Sequence, residues 1–147
     1  IDYDNIIDIS YFTIKQTLQK IQHFIPNFLE IETYSKHIQF TANDDFGTMN
    51  VLLKQPEKDE EESTKKRKLI RKGVNHTQFE FTKFHDEVAL SINFEHLQKF
   101  IKTVPQKKFQ MSLKNNYPLF LKMNLNRKSY LELYISPNCT DDYLDEE

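Results

Sequence analysis

The segment Asn93-Phe94-Glu95-His96-Leu97-Gln98-Lys99-Phe100-Ile101-Lys102-Thr103-Val104-Pro105 contains one helix together with its start and stop signals. Phe94, Leu97, Ile101 and Val104 recur at helical spacing and form one apolar face. Asn93 can cap the first free N–H groups, and Pro105 cannot continue the helix. Outward from this helix the pattern changes to strands. Residues 79–84 and 87–92 precede it and residues 109–113, 119–125 and 130–135 follow it, all rich in Phe, Thr, Val, Ile or Leu. The first part of the chain has the same order. Residues 3–9 read as a strand, and residues 10–24 as a helix with Tyr11, Ile14, Leu18 and Ile21 on one face, Ser10 as N-cap and Pro26 just beyond. Three strands follow at 28–33, 37–42 and 48–54, separated by the turn-forming clusters Tyr34-Ser35-Lys36 and Asn43-Asp44-Asp45-Phe46-Gly47. Strand, helix, three strands therefore occurs twice, a duplication of pattern more than of residues. Two helices among about nine strands predict an α+β domain with both helices packed on antiparallel sheet.

At 147 residues the chain is the size of a single domain with a core of its own. Its 38% hydrophobic and 29% charged residues are those of an ordinary globular protein, and no apolar run approaches a membrane span. The expected organisation is a domain over 1–139, made of pseudo-repeats at about 1–55 and 77–139. A charged loop at 56–76 separates the repeats, and an acidic tail covers 140–147. The loop runs from Glu57-Lys58-Asp59-Glu60-Glu61-Glu62 to Lys65-Lys66-Arg67-Lys68, a composition that cannot bury apolar area and is expected to be mobile. The chain starts at Ile1, so a preceding part is expected. With only two glycines, most turns must use Asn, Asp, Ser and Pro.

An enzyme reading finds no site. Gly47 and Gly73 are too few for a phosphate-cradling loop, and Gly-x-Ser-x-Gly is absent. Cys139 is the single cysteine, which excludes a disulfide framework and a multi-cysteine zinc site. His23, His37, His76, His85 and His96 contain no His-x-x-x-His pair, so no metal and no cofactor are expected. Asp45-Phe46-Gly47 matches a magnesium-binding triplet of kinases, but without its accompanying loops it reads as a hairpin turn.

The helix faces carry more information. The first has Lys15, Gln16, Gln19, Lys20 and His23 on its polar side and no acid between Thr13 and Phe24. The second has Lys99 and Lys102 beside His96, with Glu95 its only acid, and Lys107 and Lys108 follow in the next loop. Side by side, such faces would merge into a basic stripe able to follow phosphates without reading bases. Common surface helix formers on a solvated face would look the same. The formal net charge of −2 decides nothing, because a total hides its distribution.

Three passages together resemble the second domain of the proliferating-cell-nuclear-antigen type of DNA sliding clamp. Residues 41–51, from Thr41 to Val51, resemble its hairpin with a Gly- and Asp-containing turn. Residues 93–105 resemble its second helix. Met111-Ser112-Leu113, Tyr117-Pro118-Leu119 and Tyr130-Leu131-Glu132-Leu133-Tyr134-Ile135-Ser136-Pro137 resemble its last three strands, which end in a tyrosine–aliphatic–small–proline element and an acidic tail. The resemblance covers nearly the whole chain outside residues 56–74.

What it implies is a polymerase processivity factor acting in the nucleus, in replication and repair. A homotrimeric ring would surround duplex DNA, and replication and repair proteins would dock by short peptide motifs. On this resemblance Lys15, Lys20, Lys99, Lys102, Lys107 and Lys108 would face DNA. Pro118, Tyr134, Ile135, Ser136, Pro137 and Cys139 would line the partner-peptide pocket. Thr48, Met49, Asn50, Val51, Leu52, Leu53 and Lys54 would form a sheet edge that pairs with the next subunit. A subunit of the heterotrimeric DNA-damage checkpoint clamp, or a processivity factor that closes no ring, remains the alternative. The chain departs from the family in its long charged insertion, in lysines where arginine is usual, and in Asn138 and Cys139 where a basic and an aliphatic residue are usual. Lys65–Lys68 in the insertion resembles a nuclear import patch.

Overall fold

The fold is described from a computed structural model over residues 2–24, 26–55, 79–103 and 108–138. The charged loop 56–76, the tail 140–147, Lys107 and Cys139 lie outside the described residues. Along the chain come β1 (Asn5–Ile9), α1 (Tyr11–Ile21) with a 3-10 turn (Gln22–Phe24), β2 (Phe28–Tyr34), β3 (His37–Asp44) and β4 (Gly47–Lys54). These are followed by β5 (Phe79–Phe84), β6 (Val88–Asn93), α2 (Phe94–Thr103), β7 (Phe109–Leu113), β8 (Leu119–Asn124) and β9 (Tyr130–Ile135).

Local chemistry accounts for the ends of these elements. Ser10 Oγ accepts from Thr13 N–H at 3.1 Å and caps α1, and Asn93 Oδ1 accepts from His96 N–H at 3.0 Å and caps α2. Lys20 lies in the last turn of α1 and Lys102 in that of α2, where the helix dipole favours a cation. Asp44 Oδ1 accepts from the N–H groups of both Phe46 and Gly47, at 2.7 and 2.9 Å, and locks the β3–β4 turn. At the β7–β8 turn Tyr117 N–H donates to Lys114 C=O, and Asn116 takes the left-handed conformation with φ 67°, a role asparagine fills where glycine is scarce.

Two antiparallel sheets result, ordered β5-β1-β7-β8-β9 and β4-β3-β2-β6. The pseudo-repeats are interlocked within them. Each three-strand meander is extended by the strand that precedes the helix of the other repeat: β1 joins β7-β8-β9, and β6 joins β2-β3-β4. Neither repeat completes its sheet alone, and the buried core draws on residues of both halves. Ile7, Ile9, Met111, Leu121 and Ile135 from one sheet share a single buried cluster with Leu29, Ile31, Phe40 and Ile92 from the other, and Ile14, Leu18, Leu97 and Ile101 add the apolar sides of both helices. Buried Asn5 ties the sheets together. Its Nδ2 donates to Thr33 Oγ1 at 2.7 Å and to Asp86 C=O at 2.6 Å, and its Oδ1 accepts from His85 N–H at 3.0 Å. This buried amide is well satisfied, so its polarity costs little.

The sheets also define the ends of the domain. After β9 the chain crosses to the other sheet, where Pro137 bridges to Ile92 and Asn138 N–H donates to Ser91 C=O at 2.7 Å. This places β9 beside β6. At the opposite end, Gln55 Oε1 reaches Phe81 N–H at 3.5 Å and brings β5 close to the end of β4.

Candidate functional site

The helix face comes first. α1 buries Thr13, Ile14, Thr17, Leu18 and Ile21, and α2 buries Phe94, Leu97, Phe100 and Ile101, which turns the remaining residues outward. The helices are in contact, and Gln98 Nε2 donates to Gln22 Oε1 at 2.9 Å across them. Lys20, Lys99 and Lys102 are exposed, and Lys15 is half-buried with its ammonium 5.6 Å from the centre of the Tyr11 ring. Glu95 lies 3.2 Å from Lys99, an exposed i,i+4 pair of small energetic weight. Carboxylates collect elsewhere. Glu30 and Glu32 alternate along β2 with buried Leu29, Ile31 and Thr33, and so point away from the helices. Burial, and then the neighbouring Glu32, push the Glu30 carboxyl above its ordinary value.

Lys108 does not join this face. Phe109 points inward, its ring 5.7 Å from that of Phe100 on α2, so the preceding residue faces the other side of the sheet. There Lys108 Nζ lies 3.9 Å from Asp8 Oδ2, in a shallow depression shared with Gln110, Lys122 and Asn124. Alternation around the buried Phe109 was the sequence signal for this placement.

The second candidate surface centres on β9. Tyr134 is 57% exposed and stacks on Phe120 of β8, with ring centres 4.6 Å apart and an interplanar angle of 20°. Phe120 in turn stacks on Tyr3 at 6.0 Å. Burial, and then the nearby Tyr134, raise the Tyr3 hydroxyl above its ordinary value. Pro118 and Pro137 are half-buried and Ser136 is exposed, whereas Ile135 is 3% exposed and belongs to the core. Ile135 therefore fixes the strand and leaves the surface to Tyr134, Ser136 and the prolines. The Tyr3–Phe120–Tyr134 row had no sequence signal, because its rings come from three separate segments.

The third surface is β4, at one edge of its sheet. Gln55 N–H donates to Lys36 C=O at 2.8 Å and continues the β3–β4 ladder, which fixes the alternation along the strand. Met49, Val51 and Leu53 direct their backbone groups to β3. Those of Thr48, Asn50, Leu52 and Lys54 point away, and among the described residues nothing bonds to them. The side chains of Met49, Val51 and Leu53 pack on the core, and those of Thr48, Asn50, Leu52 and Lys54 are exposed. No three His, Cys, Asp or Glu side chains gather into a metal-binding group among the described residues.

Two interlocked antiparallel sheets with a pair of helices against them, basic on the outside, define a DNA-clamp domain. Over residues 1–138 the sequence matches the family described as proliferating cell nuclear antigen, C-terminal domain, and the chain belongs to that family. Its fold is similar to the crystal structure of Proliferating Cellular Nuclear Antigen from Entamoeba histolytica, with a TM-score of 0.72 at 14% identity. The likeness covers 94% of this chain and 47% of that one, so the chain spans about half that protein's length. No curated protein matches the sequence.

Proposed function

We propose that this chain is the second half of a sliding-clamp subunit, a non-catalytic scaffold that holds polymerases and repair proteins on duplex DNA in the nucleus. Three subunits close into a ring with the helices towards the DNA, and partners dock by short peptides at Pro118, Tyr134, Ser136 and Pro137. The observation that carries this reading is the separation of charge within a clamp-family domain. Lys15, Lys20, Lys99 and Lys102 lie on adjoining helices, and Glu30 and Glu32 face away from them. Lysines that meet phosphates in this way give affinity without sequence preference. An open edge at each end supports the ring. β4 ends one sheet, β9 ends the other, and head-to-tail contacts close into a ring when the rotation permits.

The test uses the complete gene product with Lys15, Lys20, Lys99 and Lys102 all replaced by alanine. Retention on DNA should fall, and the slope of log affinity against log salt should flatten by about one unit for each phosphate no longer neutralised. Polymerase processivity and salt dependence equal to wild type, in a variant that is folded, would refute the assignment of the helix face.

A further inference from the structure

Phe46, at the tip of the β3–β4 hairpin, is 98% exposed, whereas no other exposed large hydrophobic residue exceeds 57% among the described residues. A turn does not call for phenylalanine at this point, where Asn, Asp, Gly or Ser would satisfy the backbone. The turn is also rigid, because Asp44 Oδ1 holds the N–H groups of both Phe46 and Gly47. The ring is therefore carried on a turn whose backbone is held, immediately before the strand whose outward backbone groups at Thr48, Asn50, Leu52 and Lys54 are free among the described residues. A strand laid along that edge would carry its own surface past the hairpin tip. Leu52, 45% exposed on the same strand, adds apolar area next to that path.

We propose that Phe46 is the apolar anchor of the subunit junction, buried in a pocket of the neighbouring subunit when β4 pairs with it. The proposal rests on the ring reading above and adds to it the residue that supplies much of the affinity. Backbone pairing along β4 sets the direction and register of the junction but offers little selectivity, since any extended chain can supply it. A large ring on a preordered turn supplies what the ladder lacks. It loses little conformational freedom on docking and removes a large apolar area from water.

Sedimentation velocity of the complete gene product over a dilution series tests this. Phe46→Ala should weaken association by roughly ten- to a hundredfold, the affinity equivalent of burying one phenylalanine side chain. Phe46→Leu should recover part of the loss. Thermal unfolding of the isolated domain should be unchanged by either substitution, because the ring is solvated there. Association of Phe46→Ala equal to wild type, while Leu52→Pro dissociates the ring, would overturn the anchor and leave the ring standing. A wild-type protein that stays monomeric at all concentrations would overturn both.

Discussion

β4 and β6 border the same four-stranded sheet, yet they end it in opposite ways. On β6 and the residue before it, several outward groups are occupied. Asn115 Oδ1 accepts from Ala89 N–H at 3.0 Å, its Nδ2 donates to Glu87 C=O at 3.3 Å, and Asn138 N–H donates to Ser91 C=O at 2.7 Å. Pro137, which bridges to Ile92, adds a residue with no N–H to offer. On β4 the outward groups of Thr48, Asn50, Leu52 and Lys54 have no such cover among the described residues. An uncovered edge invites added strands, and proteins commonly block it. This chain blocks one edge with an asparagine, a proline and a backbone N–H taken from other loops, so the fold has the means to cover an edge. The contrast marks β4 as the edge open to a partner strand.

Matched prolines test the contrast most strongly. Leu52→Pro and Ala89→Pro each remove an outward N–H from an edge strand, where proline is tolerated. In the complete gene product Leu52→Pro should weaken subunit association by about a hundredfold or more, because an added strand loses its donor and meets the ring. Ala89→Pro should leave association intact and cost about 1 kcal/mol of stability through the lost bond to Asn115. Analytical ultracentrifugation together with urea unfolding separates these outcomes. Equal association for the two variants would end the distinction between the edges.

The same contrast shows how much was legible in the sequence. Every strand and both helices could be read from apolar periodicity, to within about two residues at most ends, because these elements are local and Ser10, Asn93 and Pro26 mark their boundaries. The duplication was also visible, but the exchange of β1 and β6 between the halves was not, since pairing between distant strands leaves no periodic trace in either. Helical spacing suffices to find Lys15, Lys20, Lys99 and Lys102, whereas Lys108 is grouped with them only by its nearness in sequence and lies on the other face of the sheet beside Asp8. Asn115 had only a turn signal, and its role on β6 depends on where a loop from the other sheet passes. Phe46 was hidden inside a plausible turn motif, because its significance lies in its exposure and exposure is a tertiary property.

An intermediate effect is expected where the cover of β6 meets the candidate peptide site. Pro137 belongs to both, since it bridges to Ile92 and follows the exposed Tyr134 by three residues. Tyr134→Ala, or Pro137→Ala, should weaken a peptide bearing a glutamine, an aliphatic residue and two adjacent aromatics by about 1–2 kcal/mol. The two losses have different origins. Tyr134→Ala removes a ring already held by Phe120, whereas Pro137→Ala adds a backbone N–H and loosens a chain that proline had fixed. Calorimetry on the complete gene product measures both, and equal affinity in wild type and two folded variants would place peptide docking elsewhere.

The smallest effect sharpens the comparison furthest, because it removes one part of the cover without touching the strand. Asn115 sits in the β7–β8 turn and spends both ends of its amide on β6, to Ala89 N–H and Glu87 C=O. The left-handed residue that shapes the turn is the next one, Asn116, so Asn115→Ala leaves the turn geometry unaffected. Ala89 and Glu87 are exposed, so water replaces the lost partners and the cost stays near about 1 kcal/mol, well short of that for a buried orphan. Asn115→Asp should lose about half as much, since a carboxylate still accepts from Ala89 N–H but cannot donate to Glu87 C=O. Urea unfolding resolves the two steps, and ring association should follow wild type in both variants because β4 is untouched. Unchanged stability in Asn115→Ala would assign the cover of β6 to Pro137 and Asn138 alone.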